Sequence, residues 1–137
     1  MKKILGLFFV LAGLFCFNSC KNYIDQLSIA GNKYIMTNIV PATDNIDALD
    51  LELYLMDSVC ILTFNKDGSS YVKKLDSDVV SSGSYEVSTS NNTVTLIDSS
   101  GRSSTYTFSE NGTRLDGREL WTDLGVSATF NVTYKLN

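Results

Sequence analysis

Thr129-Phe130-Asn131-Val132-Thr133-Tyr134-Lys135-Leu136 alternates polar and apolar side chains without a break. Successive side chains of a strand point to opposite faces, so Phe130, Val132, Tyr134 and Leu136 fall on one face and Thr129, Asn131, Thr133 and Lys135 on the other. A helix would scatter the same residues around its axis. The stretch is a half-buried strand, and Thr105-Tyr106-Thr107-Phe108 and Thr93-Val94-Thr95-Leu96 repeat its pattern.

Outward from these strands the chain is punctuated by turn chemistry. Asn65-Lys66-Asp67-Gly68 links a strand near Cys60–Phe64 to one near Ser70–Leu75, and Asn111-Gly112 supplies two residues that tolerate the positive φ of a tight hairpin. Ser90-Asn91-Asn92 and Ser99-Ser100-Gly101 bound the strand at Thr93–Asp98. Short consecutive links make antiparallel neighbours in up-and-down order. A sheet of about eight such strands loses its exposed edges by closing into a barrel; a two-sheet β-sandwich is the alternative. Pro41 marks the end of the first strand.

Residues 46–56 read two ways. Leu49, Leu51, Leu53 and Leu55 alternate as in a strand, whereas Ile46, Leu49, Leu53 and Met56 share a helical face. Leucine-rich composition with few β-branched residues favours a short helix, capped by Asp44 or Asp47.

The N-terminus carries a different signal. Lys2 and Lys3 precede an apolar run from Ile4 to Phe17, and Ser19 stands just before Cys20. That order is a secretory leader, and the cysteine at its end makes it a lipoprotein leader. Residues 1–19 are expected to be removed, leaving Cys20 as the lipid attachment site. Residues 20–30 then form a lipidated spacer and 31–137 the folded domain. No Asp immediately follows Cys20, which points to the outer membrane; the side it faces stays open.

Composition narrows the chemistry. The chain has 137 residues, enough for one domain. Fifteen Asp and Glu oppose eleven Lys and Arg, a balance that disfavours nucleic acid. The absence of histidine removes Ser-His-Asp and Cys-His catalysis and imidazole zinc sites. Cys16 falls in the leader and Cys20 takes the lipid, so Cys60 is alone and reads as a small buried hydrophobe. Asp44, Asp47, Asp50 and Glu52 are the densest acidic group, but they lack the glycine of a calcium loop. No metal, cofactor or catalytic residue is assigned.

Aromatic residues are the better lead. Tyr71, Tyr85, Tyr106, Phe108, Trp121, Phe130 and Tyr134 can line a barrel interior as a ligand site, or fill it as ordinary core.

Gly31-Asn32-Lys33-Tyr34, Leu62-Thr63-Phe64-Asn65-Lys66-Asp67-Gly68-Ser69, Gly83-Ser84-Tyr85 and Thr93-Val94-Thr95-Leu96 follow one another in an order that resembles the lipocalin-like lipoproteins of the Bacteroidetes envelope. The resemblance runs from about Gly31 to the C-terminus. It implies an antiparallel barrel with a central cavity, in a family whose members mostly have no assigned activity. Tyr34 stands where lipocalins proper carry the tryptophan of Gly-x-Trp, one residue later.

The expected function is a non-catalytic, membrane-anchored module that binds a small apolar or amphiphilic ligand in the cell envelope. The alternative is a packed barrel that displays loops to an envelope protein partner, with Trp121 in the segment from Asp116 to Ser127 as its exposed anchor.

Overall fold

The computed structural model describes residues 24–42, 48–123 and 125–137. The expected leader, Cys16, Cys20, Asp44, Ile46 and Asp47 lie outside the described residues.

Eight strands form one closed antiparallel barrel in sequence order: β1 (Lys33–Pro41), β2 (Cys60–Phe64), β3 (Ser70–Leu75), β4 (Asp78–Ser88), β5 (Thr93–Asp98), β6 (Ser103–Ser109), β7 (Arg114–Asp123) and β8 (Val126–Leu136). β1 pairs with β8, which closes the ring. The barrel, not the sandwich, is the fold.

Alternation places the core. Val94 and Leu96 on β5, Tyr106 and Phe108 on β6, and Phe130, Val132 and Tyr134 on β8 all point inward and are buried. Leu136, expected on the same face as Tyr134, is 41% exposed because it is the last residue of its strand. On β1 the inward phase passes from Tyr34 and Met36 to Ile39, an odd step. The register slips by one residue between Met36 and Asn38, and this bulge keeps Ile39 opposite the inward Val132.

One end of the barrel is sealed. Tyr34, Phe64 and Tyr85 meet edge to face there, with ring centroids 5.7 and 4.8 Å apart. The Tyr34 hydroxyl donates to the Gly112 carbonyl at 2.7 Å, in the β6–β7 turn. Asn111 and Gly112 have φ of 58° and 82°, the conformation their residue types suggested.

The segment expected as a spacer takes part in this seal from Ile24 onward. Ile29 is buried in the core and Ile24 packs against it. Gln26 reaches into the sheet: its side-chain amide donates to the Tyr85 carbonyl at 2.6 Å, and its oxygen accepts the Val87 amide at 2.9 Å. The Tyr85 hydroxyl donates in return to the Gln26 carbonyl at 3.0 Å. Asp25 holds the turn by accepting the amides of Leu27 and Ser28. The expected domain therefore gains a lid at its N-terminal side.

At the other end, β1 leads into one helix, α1 (Leu49–Asp57), which packs on β1. The helix was expected, but its buried face was not. Ala48, Leu51 and Leu55 face the core, while Leu49, Leu53 and Met56 are exposed. Leucine occurs all round this helix, so periodicity alone does not choose a face. Its N-cap is Ala48, with no side-chain cap.

Candidate functional site

The end of the barrel opposite the Tyr34–Phe64–Tyr85 seal is open on the side of β3 to β7. A cavity of about 490 Å³ enters the barrel there, between β3, β4, β5, β6 and β7. Its walls include Tyr71, Leu96, Ser104 and Trp121, with Val80 and Leu120 at the lip.

Two charges lie at its floor. Lys73 on β3 and Glu119 on β7 are 7% and 4% exposed, and their ammonium and carboxylate meet at 2.5 Å. Both occupy inward positions of their strands, between Tyr71 and Leu75 and just before Trp121. Lys73 sits directly opposite Ser81, at a register slip that leaves Val80 as an extra residue on β4. Such a bulge bends the strand locally, here at the lip.

Glu119 is fully engaged. Its Oε1 accepts from Lys73, from the Tyr106 hydroxyl and, at 2.8 Å, from the Tyr134 hydroxyl. Its Oε2 accepts the Trp121 indole N–H at 2.7 Å. Burial alone would push this carboxyl up, but the Lys73 charge and these hydrogen bonds outweigh it. They hold Glu119 below the usual glutamate range.

Lys73 is less fully engaged. Its ammonium donates to Glu119 and, at 3.2 Å, to the Tyr106 hydroxyl. It also lies 5.7 to 5.8 Å from the ring centroids of Tyr106, Trp121 and Tyr134. An ammonium has three hydrogens, so one remains without an acceptor among the described residues.

The surrounding groups are held away from neutrality. Burial, reinforced by the Glu119 charge, raises Tyr106 and Tyr134 well above the ordinary tyrosine range. Burial pushes the Cys60 thiol up to about 11, against the opposing hydrogen bond with Tyr134, whose hydroxyl lies 3.5 Å from the sulfur. Cys60 is the buried small residue that its sequence context suggested. At the rim, the Ser100 hydroxyl leads the hydrogen bonds that hold the Asp98 carboxyl at about 2. That carboxyl also pairs with Arg102 at 2.9 Å.

The seven aromatic candidates divide. Tyr71 and Trp121 line the cavity, and Tyr106 and Tyr134 lie at the charge pair. Tyr85 belongs to the sealed end. Phe108 and Phe130 are buried core and do not line the cavity. Trp121, expected by the scaffold reading as an exposed anchor, is instead half-buried against the core, because its N–H is drawn inward by Glu119. Lys73 and Glu119 were not among the sequence candidates. Among the described residues no group of acidic or cysteine side chains is arranged to hold a metal ion.

Compared with family models, curated proteins and solved structures, the chain gives no match.

Proposed function

We propose that this barrel is a non-catalytic module that binds a small amphiphilic molecule in its open half. The observation that carries this reading is the cavity of about 490 Å³, a size within the range of small-molecule sites. Its polar floor and its Trp121, Leu96 and Tyr71 walls offer both kinds of contact that an amphiphile needs. The exposed lip at Val80 and Leu120 suits entry of an apolar tail. Glu119, Tyr106, Tyr134 and Cys60 are all displaced from neutrality, which disfavours proton-transfer catalysis by these groups.

The test is native mass spectrometry of the protein extracted from its own cells, joined to titration with a fluorescent fatty acid. A co-purified small molecule and saturable binding are expected. The absence of both overturns the proposal.

The lipid anchor rests on Lys2, Lys3, the apolar run and the Ser19-Cys20 junction. Metabolic labelling with a palmitate analogue is expected to tag the protein, and Cys20→Ala is expected to abolish the tag. A labelled Cys20→Ala protein would remove the anchor from this reading and, with it, the outer-membrane location.

A second reading has one observation behind it. Leu49, Leu53 and Met56 present an exposed apolar face on α1 at the open end. Such a face suits a protein partner in the envelope. Photo-crosslinking from position 53 in intact cells is expected to capture a discrete partner under this reading, and only scattered products without it.

A further inference from the structure

The cavity also carries information about the head of its ligand. Its floor keeps two donor hydrogens unused among the described residues. One Lys73 N–H has no oxygen acceptor among the described residues. The Tyr71 hydroxyl and the Ser81 hydroxyl meet at 2.7 Å, which uses one of their two hydrogens and leaves the other. Both residues line the cavity with Lys73.

The carboxylates, in contrast, are taken. Glu119 receives four hydrogen bonds across its two oxygens, as many as a carboxylate readily accepts. Asp98 at the rim receives the Ser100 hydroxyl, two backbone amides and the Arg102 guanidinium. A cationic head entering this cavity would find no open carboxylate. A neutral apolar head would leave the spare donors without partners when it expelled their water.

We infer that the cavity selects amphiphiles with a small anionic head, a carboxylate or sulfonate, seated against Lys73 beside Tyr71 and Ser81. This rests on the binding reading above and specifies its ligand class. The apolar body of such a molecule lies along Leu96 and the Trp121 ring, toward the lip.

Two probes with the same ring skeleton separate the possibilities: 8-anilinonaphthalene-1-sulfonate, which is anionic, and N-phenyl-1-naphthylamine, which lacks the sulfonate. Fluorescence titration of the full-length protein with each gives a ratio of affinities. The variant Ser104→Trp, which fills the cavity from β6, is the blank for binding elsewhere on the surface. The sulfonate is expected to bind about tenfold more tightly than the neutral probe in the unmodified protein. Both signals are expected to fall to background in Ser104→Trp.

The double variant Lys73→Met with Glu119→Gln removes the charges together and is expected to lose the preference for the sulfonate. Tyr71→Phe with Ser81→Ala leaves the charge pair in place and is expected to reduce the preference severalfold. Equal affinity for the two probes in the unmodified protein overturns the headgroup assignment and leaves the binding reading standing. A sulfonate preference that survives in Ser104→Trp overturns it as well. Failure of both probes to bind above the blank overturns the binding reading itself.

Discussion

Tyr106 lies against Gly117, its cross-strand partner on β7, so closely that a Cβ on the glycine would stand 2.6 Å from ring carbon Cδ1. The missing side chain is what lets the Tyr106 ring settle low enough for its hydroxyl to reach Glu119. Gly117→Ala is therefore expected to displace the ring and to destabilise the barrel by about 1–3 kcal/mol, the usual cost of overpacking. Urea unfolding checks this. An unchanged or raised midpoint would show that the ring is free to give way.

The buried pair makes a second prediction. Lys73→Met leaves Glu119 charged and uncompensated in the interior, which costs about 3–5 kcal/mol. Adding Glu119→Gln removes the orphaned charge and is expected to restore most of that loss. A double-mutant cycle by chemical denaturation measures the coupling. Additive losses would mean that the two groups do not depend on each other.

Stability is expected to fall at both ends of the pH scale. Glu119 has a folded pKa below its unfolded value, so its contribution is present above about pH 4.3 and is lost as pH falls through the folded value. Asp67 and Asp98, each held at about 2, act in the same direction. Cys60, Tyr106 and Tyr134 are raised on folding, so their contribution is complete below their unfolded values and is lost as pH rises through the folded ones. Thermal unfolding between pH 2 and 11 is expected to show a plateau with an acid and an alkaline limb, and Glu119→Gln is expected to soften the acid limb.

The two halves of the barrel should respond separately. Phe64 is fully buried at the sealed end, between Tyr34 and Tyr85. Phe64→Ala is expected to cost about 3–5 kcal/mol by cavity formation. Probe affinity at the open end is expected to stay within a few fold, measured well below the denaturation midpoint. A parallel loss of binding would show that the ends are coupled.

Gln26 provides a local test of the lid. Its side chain makes two hydrogen bonds to β4, so Gln26→Ala is expected to cost about 1–3 kcal/mol in stability. Hydrogen exchange at the Val87 amide, which donates to the Gln26 oxygen, is expected to accelerate selectively. Exchange that rises equally over the whole barrel would point to global destabilisation instead.

These residues also explain what could be read before the fold was known. The strands that alternate cleanly, β5, β6 and most of β8, announce themselves because one face meets core and the other meets water. Closure was less legible, since β1 and β8 stand at opposite ends of the chain and no local pattern reports their pairing. The α1 face was misplaced because leucines surround that helix. The N-terminal lid hides in ordinary turn composition, and only contacts to residues about sixty positions away reveal it. Lys73 and Glu119 went unnoticed for a different reason: charged residues are expected outside. A usable signal was there, because each falls in phase with inward aromatic neighbours, Tyr71 before one and Trp121 after the other. Two charges of opposite sign sharing the apolar phase of a barrel are a pair worth seeking in sequence.

The lid has a geometric consequence. Ile24 leaves the barrel at the sealed pole, beside the Gly112 turn and the Thr89 loop. Four residues of extended chain reach about 14 Å at most, so an acyl group on Cys20 would plant the protein on that pole like a cup on its foot. On the binding reading proposed above, the cavity mouth at the opposite end would then face away from the membrane that holds the anchor.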